Sequence, residues 1–366
     1  MNASNSTAMA CAEYKETALT QAFKTLVYML IILISIIGNS TVIYVVYRNI
    51  QERNMTNWFI ANLAASDILI TFTGMPNMIT ELYIPHWIFG SFVCKMVVYL
   101  QSVAVACSVL TLLAVTGDRY LCVVSPLRRR PGIDQAKYIV VVIWIISLSI
   151  MAPLISAQKA KAYPDGQYYC VEEWGPPFNP SQAPKDFTII LFTVMYLSPL
   201  IGMAFLYLRI CQTLWKRKAP GEHINQTELQ IQKSRKKVFH MLVTVTAVFA
   251  ACWLPLWVFQ FIMFFAPDAI SCQRDIKAFY FVSLFLAHAN SAINPFLYSF
   301  FNVGFRDGFK NVSRCLRTSL HLKPRNRVAP TSAAVITKLD TLKITAPTTN
   351  NKAHSKSSYN NPAFKE

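Results

Sequence analysis

Charge is scarce in this chain. Only 14% of its 366 residues are Asp, Glu, Lys or Arg, against 54% hydrophobic, and mean hydropathy is positive. An average soluble domain carries about a quarter of its residues as charges, so composition excludes that class. Acidic residues are scarcer still, 18 against 35 basic, for a formal net charge of +17. Such an excess can mark nucleic-acid binding. Here the basic residues fall between apolar runs and in the C-terminal tail, with no RNA- or DNA-binding motif around them, so no nucleic-acid partner is indicated. Three other features are missing. There is no basic segment followed by a short apolar core and a cleavage site, so the first apolar run is expected to serve as the targeting signal. There is no internal repeat of the kind a transporter with broken helices shows. No nucleophile sits with a base, so the chain is read as a non-enzyme.

Long apolar runs are what the chain does have. Seven of them, at residues 25–47, 57–82, 93–121, 138–155, 187–208, 238–265 and 279–301, are each long enough to cross a hydrocarbon core of about 30 Å as a helix. The expected fold is an all-α membrane protein, a seven-helix transmembrane bundle at 25–303 behind an N-terminal segment at 1–24. After the seventh run, Phe305, Phe309, Val312 and Leu316 recur at helical spacing among Arg306, Lys310, Arg314 and Arg317. That pattern predicts an amphipathic helix at 304–319 on the inner membrane surface, with Cys315 as a palmitoylation candidate or a plain reduced cysteine. Residues 320–366 are polar, poor in aromatics and expected to be disordered.

Basic residues set the orientation. Arg48, Arg53, Arg128 to Arg130, Lys137, Lys216, Lys218, Lys233 and Arg235 to Lys237 fall on one side, which is read as cytoplasmic. The opposite loops mix signs. The N-terminus is then outside, where Asn2 and Asn5 fit the glycosylation pattern. Of nine cysteines, Cys11, Cys94, Cys170 and Cys272 fall outside. Two bridges can form there. Cys94 with Cys170 is preferred because it would pin the long loop over the bundle. Cys11 then pairs with Cys272 or stays a free thiol.

Charged and polar groups inside the runs are costly and so informative. Gln101, Ser108 and Arg119 stand 7 and then 11 residues apart on the third run, on one helical face. That stripe must look inward. Asp118 and Arg119 form a charge pair at its inner end. Asp67 lies mid-membrane in the second run, while Asn290, Asn294 and Tyr298 share a face of the seventh. Asp67 with Ser108, Asn290 and Asn294 could hold a small hard cation such as sodium; a protonated or water-bridged Asp67 is the alternative. Pro199, Pro255 and Pro295 each remove a helix hydrogen bond and permit a kink. Phe249 and Trp253 put two rings on one face just before Pro255, a spacing that usually means core packing.

Taken together, these motifs resemble the rhodopsin-like (class A) G-protein-coupled receptors. The matches run in order: Gly38-Asn39; Asn62 to Asp67; Cys94 and Asp118-Arg119-Tyr120; Trp144; Pro199 and Tyr207; Phe249 with Cys252-Trp253-Leu254-Pro255; and Asn290 with Asn294-Pro295-Phe296-Leu297-Tyr298. The resemblance implies a receptor in the plasma membrane whose Asp118 restrains Arg119 at rest. An outside ligand would swing the sixth helix outward and let Arg119, Tyr120, Tyr207 and Tyr298 rearrange. The opened cavity would admit a heterotrimeric G protein, with Leu127 as a further contact. Phosphorylated Ser and Thr in the tail would recruit arrestin by the same analogy. One departure matters. Where many relatives place an acid facing the arginine of the third helix, this chain has Arg235, so that cross-helix pair cannot form and restraint falls on Asp118 alone.

The resemblance also narrows the ligand. Amine receptors place an aspartate where this chain has Gln101, and opsins place a lysine where it has His288. Both ligand classes are therefore disfavoured. Gln101, the segment Trp87 to Gly90 and the loop from Tyr168 through Cys170 to Trp174 resemble the peptide receptors for RFamide, neuropeptide FF, orexin and neuropeptide Y. An amidated peptide ending in arginine and an aromatic residue would offer its guanidinium to Glu172, Glu173 or Glu81. Gln101 would meet the terminal amide, with Trp174, Gln260, Tyr280, Leu284 and His288 around it. A receptor for a non-peptide molecule, or one that internalises peptide without G-protein signalling, is the alternative.

Overall fold

The computed structural model describes residues 16–48, 54–125, 132–216, 226–266 and 273–321, without the side chains of 215–216, 226–235, 273, 303 and 315–321. The expectations for Asn2, Asn5, Cys11, Cys272, Leu127, the side chains of Arg235 and Cys315, and the tail beyond His321 lie outside the described residues. Within them, seven helices are long and apolar enough to cross a membrane: Ala18–Arg48, Met55–Tyr83, Gly90–Val124, Ile133–Ala157, Ala183–Leu214, Lys236–Phe265 and Arg274–Phe301. The chain is a multi-pass membrane protein. Each span outruns its expected apolar stretch at one end or both, because a helix satisfies its own backbone groups and need not stop where the hydrocarbon does. Arg48, Lys236 and Arg274 sit at such ends, and all three are exposed.

Local chemistry shapes individual spans. Asn54 caps the second, accepting from the Asn57 backbone N–H at 2.9 Å. That span is broken at Gly74 into Met55–Thr73 and Met75–Tyr83, with Pro76 unable to donate to the ladder. In the fifth span a π turn, Thr193–Leu197, precedes Pro199 and absorbs its missing donor. Pro255 and Pro295 lie inside their helices.

Polar side chains tie span to span. Asn39 donates to the Ser291 carbonyl at 3.0 Å, joining first to seventh. Asn62 donates to Thr111 at 2.9 Å and accepts from the Trp144 indole at 3.0 Å, joining second, third and fourth. In hydrocarbon such bonds help select helix partners, since apolar burial alone does not. The amphipathic helix is present as Val303–His321. Its Phe305 is fully buried, with its ring 6.0 Å from that of Tyr298.

The long outer loop folds as a hairpin. Strands β1 (Gln158–Ala162) and β2 (Tyr168–Glu172) pair antiparallel, with Gln158 opposite Glu172. Pro164 and Asp165 make the turn, and Gly166, at φ 75°, takes the left-handed position that closes it. A disulfide joins Cys94 to Cys170, the preferred pairing, and holds β2 against the outer end of the third span. Trp87 reinforces it by donating its backbone N–H to the Tyr168 carbonyl at 2.6 Å.

Candidate ligand cavity and inner switch

Beneath the hairpin a cavity of about 300 Å³ opens between the spans, large enough for the end of a peptide. Gln101, Glu172, Gln260, Tyr280, Leu284 and His288 line it, as the sequence suggested, with Phe249 and Trp253 at its depth. Glu81, Glu173 and Trp174 do not. Trp174 stands behind the wall, donating its indole N–H to Glu172 at 2.6 Å and packing against Phe178 and Phe187. Glu173 is already committed. Its carboxylate accepts from Lys161 at 2.6 Å and has Lys159 at 3.8 Å.

Two neighbouring carboxylates therefore differ. Lys161 holds the Glu173 carboxyl below its ordinary range, and the carboxylate in turn raises Lys161. Glu172 keeps open surface, yet protein crowds its carboxyl, and this desolvation pushes it above the usual range against the opposing hydrogen bond from Trp174. Glu172 is the one acidic residue among the described residues lining the cavity, and no lysine or arginine lines it.

At the floor, Gln101 Nε2 and His288 Nε2 meet at 3.1 Å. The other ring nitrogen of His288 is 3.4 Å from Tyr28 Oη. His288 and Tyr28 are both fully buried, so third, seventh and first spans share one polar contact chain. Tyr28 was not anticipated; a hydroxyl inside an otherwise uncharged run was its only signal.

Below the cavity Asp67 is 1% exposed and accepts from Asn294 Nδ2 at 2.8 Å. Asn290 Oδ1 and Asn294 Oδ1 are buried without a donor among the described residues. Ser108 is buried and donates to the Ala104 carbonyl, which leaves its oxygen able to accept or to coordinate. A carboxylate among such oxygens is a donor set that fits a small hard cation.

At the inner end Arg119 donates through Nε and Nη2 to Asp118 Oδ2, at 3.0 and 2.6 Å. It does not rest on Asp118 alone. Thr56 of the second span donates to the same carboxylate oxygen at 2.6 Å and also accepts from Arg119 Nη2. Tyr207 is held elsewhere: its hydroxyl lies 3.0 Å from Thr116 Oγ1 and 2.9 Å from Thr246 Oγ1, and 3.2 Å from the Leu242 carbonyl. Third, fifth and sixth spans are thereby tied through one phenol. Tyr120 is half-buried, and the Tyr298 hydroxyl is buried with no hydrogen-bond partner among the described residues. The Phe249 and Trp253 rings lie 6.0 Å apart in the core.

Sequence comparisons point the same way. The family described as 7 transmembrane receptor (rhodopsin family) matches residues 38–298. Neuropeptide FF receptor 2 of Rattus norvegicus is 35% identical over 299 residues, covering 78% of this chain and 70% of the relative. The RYamide receptor of Drosophila melanogaster is 33% identical over 298 residues, covering 78% and 63%. A QRFP-like peptide receptor of Branchiostoma floridae is 31% identical over 295 residues, covering 79% and 76%.

Proposed function

Because this chain belongs to the rhodopsin family of seven-transmembrane receptors, we propose that it is a plasma-membrane receptor for an extracellular amidated peptide of the RFamide type. It signals through a heterotrimeric G protein, with the N-terminus outside and the C-terminus in the cytoplasm. The observation that carries the ligand assignment is the charge content of the cavity: among the described residues that line it there is one acid, no lysine or arginine, and several carboxamides. A free C-terminal carboxylate entering it would lose water and gain no cation, a penalty an amidated terminus avoids. Glu172 takes the guanidinium of a penultimate arginine, Gln101 meets the terminal amide, and Tyr280, Leu284 and Gln260 surround the aromatic side chain.

The ligand acts at depth on Trp253 and Phe249, and Pro255 lets the sixth span pivot there. Outward movement of its inner half must first part Tyr207 from Thr246 and from the Leu242 carbonyl. Tyr207 and Tyr298 are then free to turn toward Arg119 as it leaves Asp118 and Thr56. Arg119 and Leu127 contact the G protein, and arrestin follows on the phosphorylated tail. A sodium ion held by Asp67, Ser108, Asn290 and Asn294 would neutralise the buried carboxylate and favour the resting bundle. Cys315 carries a palmitoyl chain, and Asn2 and Asn5 carry glycans.

The test is to express the receptor and apply a synthetic peptide ending in Arg-Phe-amide beside its free acid, reading calcium and cyclic AMP. The amide should activate and the acid should be much weaker. Gln101→Leu and Glu172→Ala should each lower amide potency; unchanged potency in both would remove the assignment. Uptake of peptide without any signal would favour an internalising receptor instead.

A further inference from the structure

The break in the second span falls at Gly74, which lines the cavity. A Cβ built at this position would lie 2.7 Å from Gln101 Oε1, 2.7 Å from His288 Nε2 and 2.8 Å from Gln101 Cδ. Non-bonded carbon and polar atoms settle roughly 1 Å farther apart than that, so any side chain at residue 74 must part from both of them. His288 has little freedom to yield. It is fully buried, its ring lies edge-on to Tyr28 at 6.0 Å, and its second nitrogen is engaged with the Tyr28 hydroxyl. Gln101 has a flexible stem and open cavity beside it, so Gln101 would make the larger move, while the contact with His288 is relieved by a small shift of the second span at its break.

We propose that Gly74 is a specificity-determining residue of the ligand cavity, acting by the space it leaves. Glycine here is used for close approach. The space lets the Gln101 carboxamide lie down on the floor against His288. With Gln101 Nε2 donating, His288 carries its proton on Nδ1 and donates to Tyr28 Oη. The Gln101 oxygen then remains to accept from an N–H of a primary carboxamide on the ligand. A side chain at residue 74 would tip Gln101 up into the volume the ligand terminus needs. The contribution of Gly74 is thus indirect: it positions Gln101. This inference rests on the amidated-peptide reading for its ligand, but its geometric core does not.

The experiment is a double-mutant cycle between Gly74→Ala and Gln101→Ala, at matched surface expression. The probes are the synthetic Arg-Phe-amide peptide and its free acid. Gly74→Ala should lower amide potency by about tenfold or more and narrow the amide-to-acid preference, with the maximal response kept. In the Gln101→Ala background the same change should cost clearly less, because only the contact with His288 is then left to relieve. Equal losses in the two backgrounds would mean a general packing defect and overturn the proposal, as would no loss in either. A second arm needs no ligand: melting of the purified, peptide-free receptor. Gly74→Ala should lower Tm more in the native background than beside Gln101→Ala. If the Arg-Phe-amide peptide fails to activate the unmodified receptor, the peptide reading falls. The Tm cycle still decides whether Gly74 controls Gln101, and equal shifts would end that idea too.

Discussion

Glu172 and Arg119 are both charged groups at an end of the bundle, yet their surroundings are opposite. Arg119 has its counter-charge and a threonine hydroxyl within reach, from its own span and the next. Glu172 has one indole N–H and otherwise faces the cavity. The inner end is satisfied by the protein itself, and so has something to lose when it opens. The outer end leaves bonding capacity for a visitor. A receptor needs this asymmetry, because a ligand shifts a two-state equilibrium only through contacts that differ between the states.

The contrast can be broken most severely by removing the bond that sets the outer wall. Replacing Cys94 and Cys170 by Ser removes the covalent tie between β2 and the third span and should lower peptide potency more than any other change named here, measured on surface-labelled receptor. Glu172→Gln removes the one acid among the described residues that line the cavity. Potency of the Arg-Phe-amide peptide should drop on the order of tenfold to a hundredfold, and a peptide with citrulline in place of arginine should lose nothing further on this variant. A further loss would mean that Glu172 does not meet the guanidinium.

At the inner end, Asp118→Asn should raise ligand-independent signalling on the order of fivefold, the worth of about 1 kcal/mol. Thr246→Val, which removes one tether of Tyr207 and keeps the shape, should give a smaller rise of the same sign. A silent Asp118→Asn receptor that reaches the surface would count against the restraint described here.

Acidity sharpens the comparison between neighbouring acids. Crowding by protein raises Glu172, so its charge is lost before that of Glu173 as pH falls, and cationic peptide potency should decline with it. In the folded free receptor that same raised group binds more protons than in the unfolded chain. Its contribution to stability is therefore larger on the acid side and falls as pH rises through the window just above the ordinary carboxylate range. Glu173 behaves oppositely: Lys161 lowers it, so its contribution persists until pH falls through a value below the ordinary range. Glu172→Gln should flatten the pH dependence of potency and Glu173→Gln should not. Glu173→Gln itself should change potency by less than about threefold, since its ion pairs with lysine are exposed.

Much of the bundle was legible from residues alone. Apolar length located every span, and helical spacing put Gln101, Ser108 and Arg119 on an inward stripe: Gln101 meets His288 of the seventh span, Ser108 is buried, and Arg119 meets Thr56 of the second. Span ends were less legible, because helices continue past the hydrocarbon on their own hydrogen bonds. The acids were the harder problem. Glu172 is the last residue of β2 and Glu173 follows it directly, and extended backbone says only that neighbours face opposite sides. Which side holds the cavity depends on the disulfide and on the pairing of β2 with β1. Thr56, Thr116 and Thr246 gave no distinctive signal, since a threonine in a transmembrane helix commonly bonds its own backbone carbonyl.

What the chain's order of residues determined by itself is everything set by periodicity and by the cost of charge in hydrocarbon: seven spans, a buried polar stripe and a paired arginine at one end. Only the tertiary structure decided which partners fill the gaps: Thr56 beside Asp118, the threonines about Tyr207, and the empty space at Gly74 that lets Gln101 reach His288. These contacts join segments far apart in sequence. No local pattern encodes the distance between two helices, which follows from how all seven pack.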